Sequence, residues 1–349
     1  MSMKKPAVLL AFVGACALAF MGPASVASPL RAGPVPAEDT PASSLPVGDL
    51  DTALTSKDGQ APEVAEVVDR DSARLVGVIV QLEEGIDRSA ALASVNEAVA
   101  ASFPGVQVRV EREYANALDG FALSAPAGSL EEIRGVAGVK AAFLEREGHV
   151  SDAAAVDAEG GTRASQIEGQ DPANLSAQLM MRTDQVTQKG EGKVVAIIDT
   201  GVDMTNEKFP FAYDYADGDN DASPREGGSG FHGTHVAGIA AGNADKIVGT
   251  APDAQIIVGK VTRTEDDALL DSALLAALDD MLVLHPDVIN LSLGWTAGMD
   301  NEADTVYATV YKKLQEAGIT VNAAAGNAFS TGYGNMSGKG LPYASNPDS

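Results

Sequence analysis

Residues 193–199 read KVVAIID, a short apolar run that ends in the carboxylate of Asp199. The run is rich in β-branched residues and lies between glycines, which is typical of a buried strand. Further strands are predicted in three segments: QIIVGKVT (255–262), DVINLSLG (287–294) and ITVNAAAGN (319–327). Helices are predicted in three others: FHGTHVAGIAAG (231–242), DALLDSALLAALDDMLVLH (267–285) and ADTVYATVYKKLQEAG (303–318). Apolar strands that alternate with helices predict an α/β fold, in which a mostly parallel sheet carries helices on both faces.

The longest predicted helix, in residues 267–285, has a recognisable start. Thr264 precedes it, and Asp267 would then be its third residue, a pattern similar to a capping box. We therefore expect this helix to begin directly after Thr264.

A different order of elements precedes the parallel sheet, between residues 72 and 150. The pattern alternates as strand, helix, strand, strand, helix and strand: LVGVIVQL, SAALASVNEAVAAS, VQVRVEREY, GFALSAP, SLEEIRGV and VKAAFLER. This β-α-β-β-α-β order predicts an α+β ferredoxin-like domain, with two helices on one face of an antiparallel sheet.

The first 27 residues have the features of a secretory signal peptide. Lys4 and Lys5 precede the apolar run PAVLLAFVGACALAFMG, and Ala27 ends a small-x-small cleavage site. The run is shorter than the roughly 20 residues of a membrane-spanning helix, which disfavours an uncleaved anchor. Cys16, the only cysteine, lies in this segment, so we expect no disulfide in the mature protein.

Two polar stretches separate the predicted parts of the chain. Residues 28–71 are rich in Pro, Ala, Ser and acidic residues and predict a disordered spacer. Residues 151–172 predict an exposed linker that contains a processing site. The remaining residues, 173–349, form the predicted α/β part.

The composition excludes one class of partner. The 349 residues include 49 acidic and 24 basic ones, which gives a formal net charge of −25. Such a charge repels a polyanionic duplex and gives little attraction to an anionic membrane. We therefore expect no nucleic acid partner.

Three polar side chains are predicted to meet at one edge of the parallel sheet. Asp199 ends a strand, His232 opens a helix, and Asn327 follows another strand. Ligands of parallel sheets bind outside the carboxyl ends of the strands. A carboxylate there can orient an imidazole that acts as a general base, while a carboxamide donates a hydrogen bond to an oxyanion. These residue types therefore indicate machinery for acyl transfer.

Four motifs occur in the order VVAIIDTGVD, FHGTHVAGIAAG, DVINLSLG and AAAGN. They resemble the aspartate, histidine, substrate-strand and oxyanion motifs of subtilisin-like serine proteases, the subtilases. The resemblance runs from about Met180 to the end of the sequence, and residues 72–150 resemble the inhibitor-type propeptide of the same family. The closing stretch GNMSGKGLPYASNPDS (334–349) resembles the lactocepin-like, cell-envelope branch of that family.

The resemblance implies a role for each site residue. Asp199 would orient the imidazole, His232 would be the base, and Asn327 would be the oxyanion donor. Three further residues would bind an extended substrate as an added strand: Ser292, Leu293 and Gly294.

The resemblance also implies the biology of the whole protein. It would be a serine endopeptidase that is secreted or attached to the cell envelope, acts on polypeptide substrates and needs no cofactor for its chemistry. It would be made as a zymogen, with its own propeptide as an intramolecular inhibitor. Regions downstream would provide attachment to the cell wall.

One part of the family pattern is missing from these 349 residues. The nucleophile of subtilases lies in a GTSMA-like motif, and no such motif occurs here. The late serines lack that context: Ser330, Ser337, Ser345 and Ser349. We therefore expect this sequence to be the amino-terminal part of a longer protease and to be catalytically silent by itself.

Two other functions stay open from the residues alone. His232 and His235 are three positions apart on one helix and, with Asp199, would suit zinc, although no HExxH motif occurs. A secreted pseudoprotease or binding module would use the same sheet edge without chemistry.

An acidic segment of the chain partly resembles a calcium-binding loop. The residues DGDND (217–221) resemble the start of a calcium loop, but Ala222 and Gly228 stand where Gly and Glu are needed. We therefore expect a solvated acidic loop near the site, which would favour basic residues in a substrate.

Overall fold

The computed structural model of this protein describes six stretches of the chain. They are residues 72–149, 181–205, 209–227, 229–244, 247–294 and 302–324. The predicted signal peptide, spacer and linker lie outside the described residues, as does Asn327. No helix among the described residues has both the length and the apolar character needed to cross a membrane.

An antiparallel sheet of four strands comes first in the chain. Its elements are β1 (Leu75–Leu82), α1 (Arg88–Ser102), β2 (Arg109–Tyr114), β3 (Gly120–Pro126), α2 (Leu130–Arg134) and β4 (Val139–Leu144). The strands lie in the order β2-β3-β1-β4, and each neighbouring pair is antiparallel. Both helices bury apolar residues against one face, including Val95 and Ile133. The predicted α+β, ferredoxin-like arrangement is therefore confirmed; we call residues 72–149 the N-terminal block.

A parallel sheet of five strands forms the second part. Strand β5 (Glu147–His149) precedes it and belongs to the N-terminal block. The elements of the second part, which include the short hairpin β8–β9, are β6 (Val194–Asp199), β7 (Phe211–Asp214), α3 (Phe231–Ala241), β8 (Asn243–Ala244), β9 (Ile247–Val248), β10 (Gln255–Lys260), β11 (Ala268–Leu270), α4 (Asp271–Leu284), β12 (Val288–Leu291), α5 (Glu302–Glu316) and β13 (Thr320–Ala323). The sheet has the order β13-β12-β6-β10-β7, and every neighbouring pair is parallel. The predicted α/β fold is confirmed.

The central strand β6 explains why helices cover both faces of this sheet. Side chains alternate along a strand, and β6 is apolar at every position before Asp199. Val195 and Ile197 pack with α3, whereas Ala196 and Ile198 pack with α4 and α5. A strand buried on both faces leaves only its ends for polar groups, which is where Asp199 lies.

The start of α4 differs from the prediction. The helix begins at Asp271, not after Thr264, because residues 268–270 form the strand β11 and pair antiparallel with β5. The expected capping residues have other contacts: the Thr264 hydroxyl accepts a hydrogen bond from Lys260, and Asp267 has a left-handed backbone with φ of 62°. Glu145 of the N-terminal block caps the helix instead, accepting the Ser272 N–H at 3.0 Å. Burial raises the pKa of Glu145.

The second face of the antiparallel sheet packs on α4 and α5. Ile79, Ala122 and Phe143 belong to the same apolar core as Leu278 of α4 and Val310 of α5. All of these side chains are buried. Residues 72–149 and the helices of the parallel sheet therefore share one continuous core.

Asp279 on α4 is the main polar contact between these two layers. Its carboxylate accepts hydrogen bonds from the backbone N–H groups of the loop between β2 and β3, at residues 115–118, over 2.6 to 3.2 Å. The side-chain amide of Asn116 donates another at 3.0 Å. A carboxylate that receives several N–H bonds is well compensated for its burial, and the same bonds fix the loop.

Replacement of Asp279 by alanine is expected to lower the free energy of unfolding by about 3 kcal/mol or more, because several buried N–H groups lose their acceptor. Asp279→Asn should cost less, since its amide oxygen still accepts. Denaturant unfolding of the purified chain measures both. The matched control is Asp253→Ala, which removes an exposed carboxylate. Equal stability of the Asp279 and Asp253 alanine variants would contradict the role of this carboxylate.

Candidate active site

Asp199 lies at the carboxyl end of the central strand and is almost completely buried, with 1% of its surface exposed. Its Oδ1 atom accepts the N–H of Thr200 at 2.7 Å. Its Oδ2 atom is buried and has no hydrogen-bond partner among the described residues. A buried carboxylate with unused acceptor capacity is costly, so a cationic or hydrogen-bonding partner is needed nearby.

His232 supplies a partner for this carboxylate at Oδ1, the oxygen that also accepts the Thr200 N–H. It is the second residue of α3 and is buried, and its Nδ1 lies 2.7 Å from Oδ1 of Asp199. The two residues predicted from the sequence to act together are therefore in direct contact. Hydrogen bonding at Nδ1 leaves the other ring nitrogen, Nε2, as the atom that can exchange a proton.

Thr200 and Gly233 hold the helix at this distance from the strand. The Thr200 hydroxyl donates to the Gly230 carbonyl at 3.0 Å and accepts the Gly233 N–H at 2.9 Å. A Cβ atom at position 233 would lie 2.2 Å from the Gly201 carbonyl oxygen, so the helix can approach only because this residue is glycine.

The environment of the two histidines separates their pKa values. Burial lowers the pKa of His232, but the hydrogen bond and the charge of Asp199 together outweigh it, so the net shift is upward. His235 is exposed in part, and partial desolvation of its ring together with the positive charge of His232 lowers its pKa. Thr200 was not identified from the sequence, because its role depends on two contacts that form only in the fold.

A slot for an extended chain lies along β11. Strand β5 fills it, with His149 opposite Ala268 and Glu147 opposite Leu270. The residue before β11, Asp267, accepts hydrogen bonds from the Ser229 N–H at 3.2 Å and from Arg225 at 3.1 Å. Since Ser229 is three residues before His232, the β5 chain runs toward the loop that carries the candidate base. Strand β11 was not predicted from the sequence, because it has only three residues and its partner strand β5 is distant in the chain.

The other predicted site residues are placed only in part. Ser292, Leu293 and Gly294 directly follow β12, which neighbours β6, so they lie at the same edge as Asp199. The Ser292 hydroxyl accepts a hydrogen bond from Asn290 at 2.9 Å, and Leu293 is buried. Strand β5 pairs with β11, so the role of residues 292–294 in binding a substrate strand stays a prediction. Asn327 lies outside the described residues.

The acidic loop has a cationic partner in Lys260 of β10. The Lys260 ammonium, which is buried, donates to Asp214 at 2.5 Å and lies 3.5 Å from Asp217. Asp219 and Asp221 are exposed, as expected for a solvated loop. Among the described residues, no group of three or more His, Cys, Asp or Glu side chains is arranged to hold a metal ion. Neither the zinc hypothesis nor the calcium suggestion gains support from this part of the chain.

The arrangement has the chemical capacity of a general base with an oriented imidazole. A carboxylate behind Nδ1 fixes the tautomer and stabilises the imidazolium that forms when Nε2 takes a proton. The adjacent strand β11 offers backbone groups to an extended polypeptide.

Comparison with known proteins agrees with this chemistry. Residues 190–345 match the subtilase family. The chain is 28% identical over 283 residues to the PII-type proteinase of Lactococcus lactis subsp. cremoris, a match that covers 70% of this chain and 14% of that protein. It is 28% identical to the minor extracellular protease Vpr of Bacillus subtilis (strain 168), with 81% and 37% covered. It is 32% identical to subtilisin E of the same strain, with 45% and 40% covered.

The chain thus spans less than half the length of each of these relatives. The family match coincides with the parallel sheet and includes both Asp199 and His232. Residues 190–345 are therefore a subtilase-family sequence, and the resemblance of this chain to subtilisin-like serine proteases is confirmed.

Proposed function

We propose that this protein is a secreted serine endopeptidase of the subtilisin type, in which Asp199 orients His232 and His232 acts as the general base. The observation that carries the proposal is the 2.7 Å contact between Nδ1 of His232 and the buried Asp199 carboxylate. The family match of residues 190–345 supports the same chemistry.

The proposed reaction is the transfer of an acyl group from a peptide bond. His232 takes the proton of a serine hydroxyl as that oxygen attacks the scissile carbonyl, and it later returns a proton to the leaving amine. Water then attacks the acyl-serine, which releases the acyl group as a carboxylic acid and restores the serine hydroxyl. Asp199 stabilises the imidazolium between these steps. Asn327 donates its amide N–H to the oxyanion, and residues 292–294 bind the substrate backbone.

The serine of this reaction is not assigned to any of the 349 residues, which contain no GTSMA-like motif. We propose that the chain by itself is catalytically silent for this reason. Its substrates would be polypeptides, and it would require no cofactor for the chemical step.

The N-terminal block is proposed to be an inhibitory propeptide that also assists folding. Its last strand, β5, pairs with β11 in the manner of an added strand, which is how an extended substrate would bind there. The block also contacts α4 at two places, where Glu145 accepts the Ser272 N–H and where the loop at 115–118 donates to Asp279, and these contacts support a tight complex. Processing would occur in residues 151–172, so that the block remains bound as a product.

Secretion is proposed from the signal-peptide features of residues 1–27. Vpr, which is similar over 81% of this chain, is named as an extracellular protease. Attachment to the cell wall is proposed only by analogy with the lactocepin-like branch.

The charge state of His232 is expected to depend on Asp199. Titration of the imidazole NMR signals should give His232 a pKa above the ordinary value of about 6.5, and His235 a pKa below it. Asp199→Asn should lower the pKa of His232, because burial then acts without the opposing charge. The control Asp203→Asn removes a nearby exposed carboxylate and should leave that pKa unchanged.

The sign of the pH effect on stability follows from this shift. A histidine whose pKa is raised by folding stabilises the folded state fully below the unfolded pKa of about 6.5, and the contribution disappears as the pH rises through the folded value. Asp199→Asn should therefore reduce stability at pH 5 more than at pH 9. A pKa of His232 that stays unchanged in Asp199→Asn would contradict the proposed ion pair.

Catalysis is tested on the processed protease as its organism secretes it. His232→Ala should lower peptide hydrolysis by about 1,000-fold or more, since removal of the base disables the nucleophile. His285→Asn replaces a histidine that ends α4 with a residue that tolerates its left-handed backbone, and it should retain the rate. The purified 349-residue chain should show no hydrolysis.

Equal rates for His232→Ala and the unmodified protease would exclude His232 as the base. Inactivity of the unmodified protease, with bound peptides intact, would favour the pseudoprotease or binding module instead. Hydrolysis by the 349-residue chain would show that one of its own serines is the nucleophile.

A further inference from the structure

Arg146 makes a second polar contact between the N-terminal block and α4, besides the one at Asp279. Its guanidinium donates two hydrogen bonds to Asp271, from Nε to Oδ2 and from Nη2 to Oδ1, both at 2.9 Å. The backbone N–H of Arg146 donates to the same carboxylate at 2.8 Å. Asp271 has no exposed surface, whereas the arginine side chain is 23% exposed. The guanidinium thus covers the carboxylate, lies 6.0 Å from the Phe143 ring of its own block and stays partly exposed.

Tyr307 of α5 completes the surroundings of this carboxylate. Its hydroxyl donates to Oδ1 of Asp271 at 2.7 Å, and its ring lies 5.9 Å from the guanidinium carbon of Arg146. Aromatic rings at such distances attract a guanidinium through the charge distribution of their faces. Asp271 and Tyr307 therefore form two walls of a site with the shape and charge for an arginine side chain.

The position of this site connects it with the slot along β11. Arg146 directly precedes β5, and Asp271 directly follows β11, so the ion pair lies at the end of the paired segment. Any extended chain that binds β11 in the direction of β5 brings its preceding residue to Asp271. Both walls belong to the parallel-sheet part and remain when the N-terminal block is absent.

We infer that Asp271 and Tyr307 form a subsite that selects arginine in a bound polypeptide, at the position directly before the three residues paired with β11. The inference deepens the proposed protease function and rests on it. Arg146 is the occupant in the intact chain, and substrate arginine replaces it in the processed protease.

The energetics of the carboxylate favour such a replacement. Departure of Arg146 removes both guanidinium bonds, and a buried carboxylate without a cation is strongly destabilised. Glu145, the neighbouring carboxylate at the start of α4, departs with the block, so its negative charge no longer competes for a cation. An arriving arginine restores the bidentate geometry, which the single ammonium of lysine does not reproduce.

The first experiment tests the site in the 349-residue chain and needs no catalysis. Arg146→Ala should lower the melting temperature by several degrees, and millimolar ethylguanidinium should restore part of the loss by occupying the vacant place. Ethylammonium should restore less. Two controls should show no recovery: Arg146→Ala combined with Asp271→Asn, and Arg88→Ala, which breaks the half-exposed pair with Asp119.

The second experiment measures selection by the processed protease as secreted. Ten-residue peptides with the sequence of residues 143–152 carry Arg, Lys or Gln at the position of Arg146. The arginine peptide should be bound or cleaved about tenfold or more better than the glutamine peptide, with lysine between them. Asp271→Asn should bring the ratio of arginine to glutamine close to one, whereas the control Asp253→Asn should leave the ratio unchanged.

The outcomes separate this inference from the proposed function. Absence of rescue by ethylguanidinium, or equal use of the three peptides by an active protease, overturns the arginine subsite while the protease function stands. A processed protein that cleaves no peptide refutes the protease function, and the rescue and the peptide affinities then decide the subsite alone. Because the peptide series uses the unmodified protein, the decision does not depend on the folding of Asp271→Asn.

Discussion

The close approach of α3 to the end of β6 is the constraint on which the candidate site depends. Asp199 and His232 come from different elements, and their 2.7 Å contact exists only if the helix begins almost against the strand. Gly233 permits this, since any Cβ there would collide with the Gly201 carbonyl, and Thr200 fixes it with two hydrogen bonds. The geometry of the imidazole is thus set by backbone packing.

The N-terminal block has a comparable relation to α4. Three groups of this helix are satisfied from outside the parallel sheet: the Ser272 N–H by Glu145, the Asp279 carboxylate by the loop at 115–118, and Asp271 by Arg146. Polar groups in such buried positions cost free energy without partners. The helix is therefore adapted to the presence of a covering layer, which agrees with the proposed role of the block as a folding partner and inhibitor.

The sequence predicted the elements whose signals are local. Strand β6 is apolar up to Asp199, and the histidine motif with its glycines identifies His232, so the sequence alone predicts both members of the central contact. The start of α4 was predicted wrongly, because Thr264 and Asp267 imitate a helix cap, whereas the pairing of β11 with β5 depends on residues far away in the chain. The roles of Thr200 and Asp279 could not be predicted from the sequence either, since each depends on contacts that form only in the fold.

The net charge of −25 does not show that the buried carboxylates take their cationic partners from different parts of the chain. Asp199 and Asp214 have their cationic partners, His232 and Lys260, within the parallel-sheet part. Asp271 depends on the N-terminal block for its cation. Removal of the block therefore leaves the first two pairs intact and changes the electrostatic potential at Asp271, at the end of β11. An exposed acidic loop attracts basic chains from any direction, and salt screens this attraction.

The Asp271 carboxylate, at one end of the β11 slot, acts on a single position of a bound chain. Asp271 is therefore the better candidate for selecting a basic substrate residue.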